Sequence, residues 1–130
     1  IHSLEINSES PQVLNYLAYG WIERNIFLDR SLEMLKKAYE KNPDSHYILD
    51  SLAWAYFKKK DLVNASKLME EVTIRAPGEA ISLDHLGDIY FAMGRQREAI
   101  YMWKQANDLA KPEDNISDKI QKKLDKYNAG

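Results

Sequence analysis

The chain contains no cysteine, which removes disulfides, thiolate zinc sites and cysteine nucleophiles together. A cysteine-free chain is at home in either redox compartment, so this absence fixes no location. Glycine and proline are scarce, at 5 and 4 of 130 residues. That leaves little turn material for an all-β fold with its many hairpins. Neither sign of charge is in excess, since 18 basic residues face 20 acidic ones for a net charge of −2. Nucleic-acid binders gather a basic excess because phosphate neutralisation dominates their affinity, so no nucleic-acid partner is expected. No apolar run approaches the roughly 20 residues of a membrane helix, and no charged-then-apolar leader opens the chain; membrane insertion is not expected of these residues. The first residue is Ile1 and not Met, so the chain is expected to be the C-terminal part of a longer protein. Its compartment therefore stays open between cytoplasm and a bacterial cell envelope or periplasm.

What the sequence does contain is a period. Residues 46–77 laid over 80–111, an offset of 34, match at Leu49/Leu83, Asp50/Asp84, Leu52/Leu86, Tyr56/Tyr90, Phe57/Phe91, Ala65/Ala99 and Ala76/Ala110. All but the Asp pair are apolar or small and lie at helical spacing. An earlier copy follows once a residue is inserted near Arg24–Asp29: Leu14, Leu17, Ala18 and Trp21, then Ser31, Leu35, Ala38 and Pro43. Each copy reads as two helices. Leu49, Leu52, Ala53, Tyr56 and Phe57 form an i, i+3, i+4, i+7, i+8 stripe, and Ala65, Leu68, Met69 and Val72 form another. Gly94 suits a left-handed helix ending. Asn42-Pro43-Asp44 and Ala76-Pro77-Gly78 separate the copies, because proline disfavours helix in the residue before it. Ala53 and Gly87 oppose Ala65 and Ala99, so the two helices of a pair can approach closely. After Pro112, Ile116, Ile120, Leu124 and Tyr127 mark one more helix with a narrow apolar stripe and a polar back, as a terminal cap requires.

The order Leu86, Gly87, Tyr90, Ala99, Trp103, Ala106, Pro112 resembles the tetratricopeptide repeat (TPR), and the resemblance spans about residues 11–112. The first copy departs from the pattern with Trp21, Ser31 and its extra residue, and the third has its proline one place late. The resemblance implies an all-α fold: a right-handed superhelical stack of three helix-turn-helix pairs with a C-terminal capping helix. Its divisions would be a tail or remnant of an upstream repeat at 1–10, repeats at 11–45, 46–79 and 80–112, and the capping helix and tail at 113–130. His85-Leu86-Gly87-Asp88, Gly94-Arg95 and Trp103, with Asp50-Ser51-Leu52-Ala53-Trp54, are also similar to the C-terminal repeats of bacterial envelope-associated TPR proteins.

In that family the first helix of each pair lines a groove for peptides. The register would place Gln12, Asn15, Tyr19 and Glu23 there from the first pair. Tyr47, Asp50, Trp54 and Lys58 follow from the second, and Ile81, Asp84, Asp88 and Phe91 from the third. Trp54 could be an exposed aromatic anchor or could pack against the neighbouring pair. One subclass grips acidic chaperone tails with Lys, Arg and Asn. Its places hold Asn15, Tyr19, Ser51, Ile81 and His85, with no basic residue, so acidic tails are disfavoured. Asp50, Asp84 and Asp88 would sooner suit a basic or mixed apolar-basic segment.

Nothing in the sequence assembles an active site. His2, His46 and His85 lie at no metal spacing, and no Gly-rich phosphate loop, GxSxG elbow or Ser/His/Asp set is present. Asp84 and Asp88 share one helix face and could hold a cation, but an open groove would leave them solvated. Lys58-Lys59-Lys60 reads as a solvated corner, and the sequons at Asn64 and Asn115 as chance matches. The expected function is a protein-protein interaction module without catalysis, cofactor or metal. The alternative is a regulatory or substrate-recruiting domain of a larger enzyme. Self-association through the first helix is a further expectation.

Overall fold

In a computed structural model of the chain, residues 11–127 are described. The tail expected at 1–10, with His2, lies outside them. Among the described residues there are seven α-helices: α1 Pro11–Glu23, α2 Leu28–Lys41, α3 His46–Lys58, α4 Leu62–Arg75, α5 Ala80–Ala92, α6 Gln96–Leu109 and α7 Ser117–Tyr127. A 3-10 turn at Pro112–Asp114 precedes α7, and no strand occurs among the described residues.

The turns inside the helix pairs share one construction. Lys60 and Gly94 are left-handed, with φ of 68° and 84°, and Asn25 takes 59° at the corresponding place. In each, the next amide donates across the turn: Ile26 to the Trp21 carbonyl (3.0 Å), Asp61 to Tyr56 (2.9 Å) and Arg95 to Tyr90 (2.9 Å). This six-to-one bond satisfies a carbonyl that the helix end would otherwise leave orphaned. The inserted residue of the first pair falls here as expected. It adds Phe27, itself left-handed at 50°, whose ring sits edge-on to Trp21 at 5.1 Å. The starts of α3 and α4 are capped by side chains: Ser45 Oγ accepts from Ile48 N–H at 3.4 Å, and Asp61 from Asn64 N–H at 3.2 Å.

The described residues form two compact units that divide between Leu68 and Met69, inside α4. In the first, α1 packs on α2, and α3 packs on both. Its core is Leu14, Ala18 and Ile22 of α1, Leu32, Leu35 and Ala38 of α2, and Ile48, Leu49, Leu52 and Ala53 of α3. Ser31, standing where later copies have alanine, is fully buried, and its hydroxyl points to the Ala18 carbonyl at 3.5 Å. Leu17 departs from its stripe and is 43% exposed, whereas its counterpart Leu52 is buried. The reason is positional: α3 lies against α2 and α1, while no described helix precedes α1.

In the second unit α5 pairs with α6, and α7 packs on α6. Its core joins Met69 and Val72 of α4, Leu83, Leu86 and Ile89 of α5, Ala99, Trp103 and Ala106 of α6, and Ile120 and Leu124 of α7. Gly87 is needed for the approach of α6. A Cβ there would lie 2.4 Å from Trp103 Nε1 and 3.2 Å from the Ala99 carbonyl oxygen. Burying Ile120 and Leu124 contributes about 1.5–3 kcal/mol for each side chain, which holds α7 against its neighbour.

Candidate peptide-binding face

On α1 the spacing i, i+4, i+8 brings Asn15, Tyr19 and Glu23 to one face. Asn15 and Tyr19 are half-buried and Glu23 is exposed. The Asn15 side-chain oxygen is buried and accepts no hydrogen bond among the described residues. Leaving a carbonyl in that state costs on the order of 1–3 kcal/mol, so an incoming donor would relieve it. On α3, beside α1, Tyr47 is 63% exposed with its ring 4.1 Å from that of His46. Asp50 and Lys58 are half-exposed. Trp54 is only 5% exposed, which removes it as an exposed anchor. Its ring stacks on Phe57 at 4.6 Å and lies 5.4 Å from the Lys58 ammonium. Trp54 therefore belongs to the packed side of α3, and the aromatic side chain that this helix exposes is Tyr47.

The third pair is built differently from the solvated acidic face expected of Asp84 and Asp88. Asp84 is buried, and Lys123 of α7 places its ammonium 2.8 Å from Asp84 Oδ1 and 2.7 Å from Asp88 Oδ1. Asp88 Oδ1 also accepts from Trp103 Nε1 at 3.2 Å. The Lys123 ammonium lies 5.4 Å from the centre of the Trp103 ring, within cation–π range. Burial pushes the Asp88 carboxyl above its ordinary range; the Lys123 charge opposes that and the neighbouring Asp84 reinforces it. Burial works against the Lys123 ammonium too, but the carboxylates of Asp88 and Asp84 outweigh it and hold its pKa above its ordinary value. Phe91 is covered as well, by Tyr127 at 4.4 Å and Trp103 at 5.8 Å. Of the four groove residues expected from this pair, three are thus engaged by α6 and α7. Ile81 remains half-exposed.

The residues that close this face, Lys123, Trp103 and Tyr127, were not among those expected at the site. The signal for Lys123 was its place beside Leu124, on the edge of the apolar stripe that docks α7. Among the described residues no group of three or more His, Asp or Glu side chains converges as metal ligands. The Asp84/Asp88 pair already holds an ammonium. His85 is buried and His46 half-buried at a helix start. Ser51 is buried too, so two of the five places of an acidic-tail clamp are closed. No described helix is long and apolar enough to cross a membrane.

No family model matches the chain. Over 80 residues, 62% of its length, it is 29% identical to a TPR repeat-containing protein of Pseudomonas aeruginosa, of which it spans 13%. A MamA structure (AMB-1) superposes with a TM-score of 0.68 at 23% identity, covering 83% of this chain and 63% of that one. The first TPR domain of Spaghetti, solved with an HSP90 peptide, gives 0.70 at 19% identity over 90% of this chain and 94% of its own. The Sgt2 TPR domain of Aspergillus fumigatus gives 0.70 at 16% identity over 92% and 82%. With its helix pairs, its turns and these likenesses, the chain has the fold of the tetratricopeptide repeat.

Proposed function

We propose that the chain is a protein-interaction module that holds a peptide or protein segment on the face shared by α1 and α3, without making or breaking bonds. The observation that carries this reading is the contrast between the two units. On α1 and α3 stand an exposed Tyr47, an exposed Glu23, a half-exposed Asp50, and an Asn15 side-chain oxygen that no donor among the described residues reaches. On α5, Asp84 and Asp88 are held by Lys123 and Phe91 is covered by Tyr127, while Ile81 stays half-exposed. A solved TPR domain of the same fold carries an HSP90 peptide, which supports peptide holding as a use of such helices. With Glu23 and Asp50 on the face, the segment is basic or mixed apolar-basic in character. A preformed helical face keeps the ordering cost of binding low on its own side. Peptide display against the chain and against Tyr47→Ala/Asp50→Lys tests this. Enrichment of basic, aliphatic-containing peptides that the variant no longer retains is expected. Enrichment of acidic peptides, or equal retention by the variant, would sink the reading.

The second reading is self-association, favoured by the outer face of α1. Val13, Tyr16 and Leu17 are 41%, 84% and 43% exposed, and Tyr16, Leu17, Gly20 and Trp21 line a hollow of about 310 Å³. Sedimentation velocity over a hundredfold concentration range decides: a shift to dimer that Tyr16→Ser/Leu17→Ser removes supports it, and a constant monomer refutes it.

A further inference from the structure

We infer that the second unit carries a separate docking groove, between the C-terminal half of α4 and α6, for an apolar segment flanked by Lys or Arg. The groove measures about 680 Å³, within the range of about 300–1,000 Å³ that ligand sites occupy. Its floor is Leu83, Leu86 and Tyr90 of α5, all buried. Its walls mix apolar side chains with Glu70, Thr73, Gln105 and Asp108. Ile74 is 73% exposed and Leu109 42% exposed, with Pro77 and Met102 beside them. A single exposed isoleucine needs no explanation, but the exposed Ile74, Pro77 and Leu109 gathered with the half-buried Met102 around one hollow make a contiguous apolar patch.

The charge of the lining selects the occupant. Glu70 and Asp108 are the ionisable carboxyl groups there, and among the described residues no Lys or Arg lines the groove. Tyr90 donates its hydroxyl hydrogen bond to Glu70. Burial first, and then that bond, raise the phenol far above its ordinary pKa, so it remains a neutral donor that fixes the carboxylate at one end. Arg95, whose guanidinium lies 4.2 Å from the centre of the Tyr90 ring, is paired with Glu98 and lies outside the lining. An apolar stretch inserted between Ile74 and Leu109 would bury its side chains on Leu83 and Leu86. A cation at its end would meet Glu70 or Asp108. An acidic flank would meet like charge in the lining. This surface shares no residue with the α1–α3 face, and the inference does not rest on that reading.

The test uses two synthetic 14-residue amphipathic peptides, one of leucine and lysine and one of leucine and glutamate, titrated into the isotope-labelled whole chain. The leucine–lysine peptide should perturb the amides of Thr73, Ile74, Gln105, Asp108 and Leu109 most strongly. Its affinity should fall at least tenfold in Ile74→Ser/Leu109→Ser and in Asp108→Lys. All three positions are exposed, so the melting temperature serves as the check that the variants fold. No binding at millimolar peptide overturns the inference, as do perturbations confined to other helices, equal binding by the variants, or equal binding of the leucine–glutamate peptide.

Discussion

Lys60 holds φ at 68° in the turn where Gly94 holds 84°, and only glycine takes that conformation without a Cβ penalty. The left-handed region costs an L-residue on the order of 1–2 kcal/mol, of which glycine's greater unfolded entropy cancels part. Lys60→Gly should therefore raise stability by about 1 kcal/mol, read as a higher urea midpoint. An unchanged or lower midpoint would contradict this reading of the turn. Gly87 illustrates the opposite case. Alanine would gain about 1 kcal/mol of helix propensity, but its Cβ would meet the Trp103 ring at 2.4 Å. That ring is fixed by Asp88 and packed beside Phe91 and Tyr127, so overpacking of about 1–3 kcal/mol prevails. A lower melting temperature with altered tryptophan fluorescence in Gly87→Ala is the expected result. Gly94 was legible in the sequence because glycine advertises the turn; Lys60 and Asn25 were legible only through register. Trp54 was ambiguous because register gives a direction on a helix and not what covers it.

At the scale of elements, α7 closes the third pair. Its apolar stripe was readable from Ile116, Ile120 and Leu124, but its ion pair was not, since sequence spacing along α7 says nothing of which carboxylates it meets. The consequence is energetic. Removing one partner of a buried pair leaves an uncompensated charge, at about 3–5 kcal/mol. Lys123→Ala, which strands the buried Asp84 carboxylate, should lose about 3 kcal/mol in denaturant unfolding. A loss under about 1 kcal/mol would show that water reaches Asp84 freely. The pH dependence has a definite sign. Asp88 has a folded pKa above its ordinary value of 3.8, so its contribution is fully present below 3.8 and declines as pH rises through the folded value. The raised Lys123 pKa gives stability present below the ordinary lysine value and lost as pH rises beyond it. Replacing Asp88 with Asn should flatten the stability profile just above pH 4, measured by urea unfolding at several pH values. A profile identical to wild type would assign that slope to other groups.

At the scale of the whole molecule, the period of 34 residues made the fold legible. Each copy repeats the same apolar stripe, small-residue contact and turn, and these are local features that a sequence displays. The face for a partner was less legible. The repeat predicts equivalent groove residues from each pair, yet the last pair meets α7 in place of another repeat, and Asp84, Asp88 and Phe91 are committed to Lys123 and Tyr127. Equivalence by register therefore fails where the third pair meets α7, because its neighbours differ from those of the other pairs. Truncation of 113–130 should uncover Phe91, Trp103 and Asp84 together and drive aggregation, seen by light scattering; a soluble and equally stable product would deny α7 its capping role. The central claim, that a segment is held on α1 and α3, is tested most directly by titrating the isotope-labelled chain with a peptide recovered by display. The account predicts the largest amide shifts at Asn15, Tyr19, Tyr47 and Asp50, with the Lys123 region unmoved. Shifts centred on Asp84 and Phe91 with α7 displaced, and none on α1 or α3, would contradict it.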